Sequence, residues 1–195
     1  MITADAHVPA EFRRALHELA ERRLRPEVHL TEIPAPSRIA PYAVALTGDV
    51  LSRSDEVGAE DDEPASGRFV LLHDPAGQEA WQGTFRVVTL VRATLDAEVG
   101  GDTMLCEAAW SWVEEALDRA GANRVALGGT VTRVVSQSFG ALAERPGEAE
   151  VEIRASWTPP DGEVGAHLAA WGTLLCTAAG LPPLPDGVAA LGRRH

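Results

Sequence analysis

Lysine is absent from this sequence, because all 17 of its basic residues are arginine. A lysine amine forms the Schiff base of pyridoxal-phosphate enzymes and contacts the phosphates of nucleotides in P-loop proteins and kinases. The chain therefore cannot belong to these classes. It also lacks the GxGxxG, HExxH, CxxC and GxSxG motifs, which mark dinucleotide binding, zinc proteases, thiol redox sites and serine hydrolases.

Cysteine is scarce, and the two that occur, Cys106 and Cys176, each lie in an apolar stretch typical of a helix. Neither has a metal ligand at short spacing, so we predict two buried thiols and neither a zinc site nor a disulfide framework. The closest approach to a metal motif is HELAE, where a second histidine would be needed at Glu21 to join His17. We predict a solvated helix face there, with no metal and no cofactor.

Long apolar runs are missing as well. No stretch reaches the 18 residues of a membrane-spanning helix, and MITADAHVPAEFRRAL has no basic region followed by an apolar one, as a secretion signal would. The net charge of -12 opposes attraction to nucleic acid and to anionic membranes. We therefore expect a cytoplasmic protein that binds neither. Six of the acids fall within residues 52–66, where the lack of apolar side chains predicts a mobile loop.

The periodicity of the remaining sequence predicts three helices and five or six strands. The helical spacing of apolar residues covers Pro9–Leu24, Asp102–Ala120 and Val164–Ala179, and Gly121 and Gly180 are suitable residues to end the last two helices. Alternating strands joined by short turns indicate a two-layer α+β domain with a mainly antiparallel sheet. The order of elements resembles that of secretion-chaperone-like folds. We expect one domain over residues 1–195, with an irregular tail at 181–195.

The stretch HDPAGQEAWQGTFR, residues 73–86, concentrates ionisable groups and a tryptophan between two predicted strands. Alternation directs His73 and Asp74 to opposite faces, and Asp-Pro-Ala-Gly is a good turn sequence, which favours a structural role. The alternative is a small-molecule or enzyme site in which His73, Glu79 and Trp81 rim a pocket. Trp81 differs from Trp110, Trp112, Trp157 and Trp171, which lie in apolar patterns typical of a core.

Three arginines lie in the middle of predicted strands. Arg86 and Arg92 share one face of their strand, and Arg154 lies on the polar face of the last strand beside Glu152. Burying an unpaired guanidinium costs several kcal/mol, so this side of the sheet is expected to be open. The arginines form either a solubilising lattice with glutamates or a surface for an acidic peptide, an anionic ligand or a second copy.

The chain resembles an actinobacterial family known as a domain of unknown function, the one numbered three thousand. The resemblance spans about Phe12 to Pro185 and rests on LRPEVHLTEIPAPSRIAPYAVAL, GRFVLLHDPAGQEAWQGTFRVVTLVRATL, GTVTR, EIRASWTP and HLAAWGTLLCTAAGLPP. It implies a bacterial protein of one domain and brings no reaction or cofactor.

Two functions remain open. The first is a non-enzymatic module that binds another protein or itself, using tentative binding residues His73, Asp74, Glu79, Trp81, Arg86, Arg92 and Arg154. The second is a small-molecule binder or enzyme centred on His73, Glu79 and Trp81. The absence of a catalytic motif favours the first.

Overall fold

The computed structural model describes residues 8–51, 64–145 and 147–183, which form a six-stranded sheet with helices packed on one face. The strands are β1 (Val28–Ile33), β2 (Tyr42–Val50), β3 (Ala65–Gln78), β4 (Gly83–Asp96), β5 (Val125–Ser136) and β6 (Glu148–Thr158). The helices are α1 (Ala10–Glu21), α2 (Ala97–Gly100), α3 (Leu105–Arg119) and α4 (Gly165–Ala178). The predicted α+β fold is confirmed. Residues 52–63 of the expected loop and 184–195 of the expected tail lie outside the described residues.

All neighbouring strands are antiparallel, in the order β1-β2-β3-β4-β6-β5. The first four strands follow one another as a meander. The chain then passes through α2 and α3 to the far edge as β5, and β6 returns between β5 and β4. The two edges of the sheet are therefore β1 and β5.

One face of the sheet, the covered face, carries the main core. Alternate residues of β3, β4 and β6 point into it, including Phe69, Leu71, Val87 and Trp157, all at most 1% exposed. Helix α4 lies against this face and is buried nearly all round, as its high apolar content requires. Of the tryptophans predicted to be core, Trp157 and Trp171 are buried, whereas Trp110 and Trp112 are half-buried.

The cysteines follow the same division. Cys176 is buried in α4, whereas Cys106 at the start of α3 is only half-buried, so the prediction of burial is wrong for Cys106. Cys106 faces partly outward because the inward side of this turn is occupied by Leu105 and Ala109. Both cysteines are free thiols.

Glycine ends α3 and α4 as expected. Gly121 and Gly180 have φ values of +64° and +74°. In each case the following N–H group, of Ala122 or Leu181, donates a hydrogen bond of 2.9 Å to a carbonyl in the last helical turn. This left-handed termination satisfies carbonyls that would otherwise have no partner.

Helix α1 joins the helical layer through its polar side chains as well as its apolar ones. Glu18 Oε2 accepts hydrogen bonds from the N–H groups of Val164 and Gly165, at 2.8 and 3.3 Å, where α4 begins. His17 Nε2 lies 3.3 Å from Glu21 Oε1, and both side chains are exposed. The HELAE stretch is thus a solvated helix face, as predicted. Within the described ranges, no helix is long and apolar enough to cross a bilayer.

The hairpin between β3 and β4 differs from the prediction. The residues expected to form the turn, Asp74 to Gly77, are an irregularity inside β3, where four residues face only Thr84 of β4. The chain reverses later, at residues 79–82, with Gln82 in the left-handed conformation at φ +57°. Asp74 stabilises the irregular segment, since its carboxylate accepts hydrogen bonds from Ala76 N–H and Gln78 Nε2, both at 3.1 Å. This local capping explains why Asp-Pro-Ala-Gly need not reverse the strand.

Candidate functional site

The other face of the sheet, the open face, has no helix packed on it among the described residues. Near β2 and β3 this face is covered in part by the connector that follows β1, residues 34–41. Ala35 and Ala40 of this connector pack on a small cluster that contains Val70, Leu72 and Trp81. Trp81 is 9% exposed, so the tryptophan of the polar turn folds back over the sheet.

An open groove of about 750 Å³ lies beside this cluster. One wall is the end of β1 with the connector, from Ile33 to Pro36 together with Ile39, and the other wall is residues 128–130 of β5. The floor is formed by the intervening strands. We call this depression the groove.

Strand register explains the composition of the floor. Ala45, Val70, Val88, Ser156 and Gly128 are successive cross-strand partners and form one row across five strands. This apolar row is small and partly accessible, with Val88 39% exposed. It supplies a shallow hydrophobic surface without a deep cavity.

The next row on the same face is basic. Arg68, Leu90, Arg154 and Thr130 are successive cross-strand partners, two residues along each strand from the apolar row. Arg68 is exposed, and it has no hydrogen bond or ion pair with another residue that the structure describes. No aspartate or glutamate is among the described residues that line the groove.

Arg154 is partly neutralised from outside the groove. Its Nη2 lies 2.8 Å from Glu152 Oε1, and the other oxygen of Glu152 accepts a 2.6 Å hydrogen bond from Arg92 Nε. One carboxylate is therefore shared by two guanidinium groups. This arrangement contains the cross-strand Arg and Glu lattice that the sequence predicts as one of two possibilities, with two guanidinium groups on one carboxylate.

Arg86 lies at the end of the groove and is held by neutral acceptors. It donates hydrogen bonds of 2.9 Å to the carbonyl of Ala126, 2.7 Å to Ser156 Oγ and 3.4 Å to Thr158 Oγ1. Thr158 in turn donates to the carbonyl of Trp81 at 2.6 Å. Burial lowers the pKa of Arg86 from its ordinary value. Because Ser156 Oγ accepts from Arg86 and has no other partner among the described residues, its own proton is available for donation into the groove.

His73 does not lie in the groove but in the covered layer. Its ring stacks on Phe85 at 4.2 Å between centroids and also contacts Phe12 and Tyr42. Nδ1 donates to the carbonyl of Thr84 at 3.1 Å, whereas Nε2 has no partner. Burial lowers the pKa of His73, despite an opposing contribution from the hydrogen bond to Thr84. The side chain is therefore neutral at physiological pH.

The structure does not bring together the three residues of the alternative pocket. His73 is on the covered face, Trp81 packs on the opposite face, and Glu79 is exposed in the hairpin turn. The alternation of Leu72 and His73 in β3 causes this separation. Asp74, another tentative binding residue, is engaged in the irregular segment of β3.

The three arginines that were predicted as binding residues all lie on the open face. Arg154 lines the groove, Arg86 supports Ser156 at its end, and Arg92 lies one row farther along β4. The sequence analysis did not identify Arg68 as a candidate binding residue, although the alternation in GRFVLLHD places it on the same face of β3 as Val70. It also missed the connector wall, because a proline-rich stretch has no periodicity that shows where it packs.

The described residues that line the groove provide hydrogen-bond donors. Their polar side chains are arginine, serine and threonine, and none of the described lining residues is a histidine, aspartate or glutamate that could act as a general base. Such a surface can hold a ligand that accepts hydrogen bonds and carries apolar groups.

Comparison with known proteins identifies one family. The model of the family described as "Protein of unknown function (DUF3000)" matches residues 8–189, which is most of the chain. No curated protein and no solved structure matches.

Proposed function

Since the chain belongs to the DUF3000 family, whose description names no activity, we propose from its geometry that it is a non-enzymatic module that binds another protein. The observation that carries this proposal is the uncovered groove, which combines apolar walls with an unpaired arginine. Apolar surface edged by polar groups marks sites of interaction more often than sites of chemistry when no general base is present.

The length of the surface favours a protein segment over a metabolite. A second depression of about 370 Å³ continues on the same face, and its polar lining includes Ser66, Arg92, Thr132, Glu150 and Glu152. From Val88 to Arg92 the surface extends four residues along β4, roughly 13 Å at the rise of a strand. A segment of polypeptide can follow both depressions, whereas a small ligand would fill only one.

The same proposal includes a cytoplasmic location in an actinobacterium, as the family resemblance implies. Two free thiols support a reducing compartment. The alternative of an enzyme or small-molecule site at His73, Glu79 and Trp81 has no observation that favours it, because these residues point to different places.

Site-specific photo-crosslinking in the native host tests the proposal. A photoreactive phenylalanine analogue replaces Val88 on the groove floor, and a control replaces Val99, which is 47% exposed on α2 away from the groove. We expect discrete protein adducts from position 88 and none of the same mass from position 99. An adduct of twice the chain mass would identify a second copy as the partner.

The proposal fails if position 88 gives no protein adduct that the control lacks. A small-molecule function would gain support instead if a metabolite extract raises the melting temperature of the wild-type chain and the variant Val88→Trp, which fills the groove, loses that effect.

A further inference from the structure

We infer that the bound segment is acidic, and that one of its carboxylates lies between Arg68 and Arg154 while an apolar side chain two positions away packs on Val70 and Val88. This inference rests on the proposed function and specifies the chemistry of the partner.

Charge is the first argument. The chain as a whole carries a net charge of -12, yet none of the described residues that line the groove is acidic. Among the described residues Arg68 is an exposed guanidinium without an ion pair, and Arg154 shares the carboxylate of Glu152 with Arg92. A local positive site on an acidic protein selects a negative group and rejects a basic one.

The positions of the two arginines are the second argument. They lie in the same row, on strands that flank β4 from either side, with Leu90 between them. Strands lie about 4.8 Å apart, so the two backbones are separated by about 10 Å. Two long guanidinium side chains can close on one carboxylate across that distance, which favours a single acidic group between them.

Hydrogen-bonding capacity is the third argument. Ser156 has a free proton, because its oxygen accepts from Arg86. Thr89 offers no donor to the groove, because its side chain is buried on the covered face and donates to the carbonyl of Ala155 at 3.1 Å. The free side-chain groups of the groove are thus mainly donors, and the bound group must supply acceptors.

The distance between the apolar row and the basic row determines the spacing of the two residues in the bound segment. The apolar row lies two residues along the strands from the basic row, which is about 7 Å at the rise of a strand. Alternate residues of an extended segment have the same separation. The expected segment therefore presents an aspartate or glutamate and an apolar residue two positions apart. A polyanion such as nucleic acid fits less well, because the remaining acidic surface would repel it.

Selection from a phage-displayed library of random dodecapeptides tests this inference. The wild-type chain, the groove-filling variant Val88→Trp, the charge-reversal variant Arg68→Glu and the control Arg119→Glu serve as targets. Arg119 is an exposed arginine in the last turn of α3, away from the groove. Circular dichroism and the melting temperature establish that each variant is folded before it is used.

We expect peptides selected by the wild type and the Arg119→Glu control to be enriched in Asp or Glu two positions from an apolar residue. Val88→Trp should not retain them. Arg68→Glu should bind the best peptide at least tenfold more weakly, which corresponds to about 1.4 kcal/mol, and should select peptides enriched in arginine and lysine.

Two outcomes contradict the inference in distinguishable ways. Peptides that bind the wild type, are blocked by Val88→Trp and show no acidic preference would overturn the acidic chemistry while leaving the protein-binding function intact. A library that yields no peptide sensitive to Val88→Trp would overturn both.

Discussion

The two faces of the sheet use the same strands for opposite purposes. On the covered face, Leu71 and His73 of β3 are completely buried beneath the helices. On the open face, Arg68 of the same strand is exposed, and Val88 of β4 remains 39% exposed. A period of two along each strand separates a packed interior from a surface that stays accessible.

This contrast reverses the usual expectation about ionisable residues. His73 and His167 are both buried, and their rings pack against Phe85 and Trp157 respectively, so both histidines contribute to the packing of the core. The groove on the open face is lined instead by valines, prolines and Arg68, which has no ion pair among the described residues. The two buried histidines are thus structural, whereas Arg68 is exposed to solvent.

The largest difference in stability between the two faces is expected for a pair of leucine substitutions. Leu71→Ala on the covered face should lower the free energy of unfolding by about 2 to 5 kcal/mol, because it leaves a cavity in a close-packed layer. Leu90→Ala, on the open face, should cost less than about 1 kcal/mol, since its side chain is already half-solvated. Urea denaturation measures both. Equal losses would mean that the open face is packed as tightly as the covered one.

Acidification should weaken the covered face through His167. Trp157 Nε1 donates a 2.9 Å hydrogen bond to His167 Nδ1, and burial lowers the pKa of this histidine from 6.5 to about 4, with a smaller opposing effect of Asp161. Between these values the unfolded chain binds a proton that the folded chain does not. The free energy of unfolding should therefore fall as the pH drops from 6.5 towards 4, by about 3 kcal/mol at most from this group.

A conservative variant isolates that contribution. His167→Asn keeps an acceptor for Trp157 but cannot be protonated, so its stability should decline less over the same pH range. The pKa of His73 is also lowered by burial, so some acid sensitivity should persist in this variant. Superimposable pH profiles of the wild type and His167→Asn would contradict the assignment to His167.

A smaller loss is expected from His73→Ala, which distinguishes a structural histidine from a binding one. Removing the imidazole leaves a gap between Phe12, Tyr42 and Phe85 and should cost about 2 kcal/mol of unfolding free energy. Peptide binding and crosslinking at position 88 should persist, because His73 lies on the other face. Loss of binding at an unchanged melting temperature would restore the pocket hypothesis.

Much of the fold could be predicted because it depends on local periodicity. Alternation assigned Phe69 and Leu71 to one face of their strand and Arg154 to the polar face of the last strand, and glycine marked the ends of α3 and α4. These signals involve residues only a few positions apart. They required no knowledge of which strands are neighbours.

The parts that escaped prediction depend on distant contacts. The Asp-Pro-Ala-Gly segment can form either a turn or an irregularity, and the register of β3 against β4 decides between them. The connector after β1 becomes a groove wall only because Trp81 and Val70 offer it an apolar surface. Arg68 and Arg154 are 86 positions apart by number and meet in one row because β6 inserts beside β4. No local pattern contains that information.

The smallest expected effect concerns the ion pairs of the open face. Arg92 and Glu152 are cross-strand partners at 2.6 Å, but the Arg92 side chain is 59% exposed, so water screens the attraction. A double-mutant cycle with Arg92→Gln and Glu152→Gln should give a coupling of about 0.5 kcal/mol. Glu152→Gln should also strengthen the binding of an acidic peptide, because it frees Arg154. If Glu152→Gln weakens that binding, the carboxylate assists recognition, and Arg154 is not a site for the partner's acid.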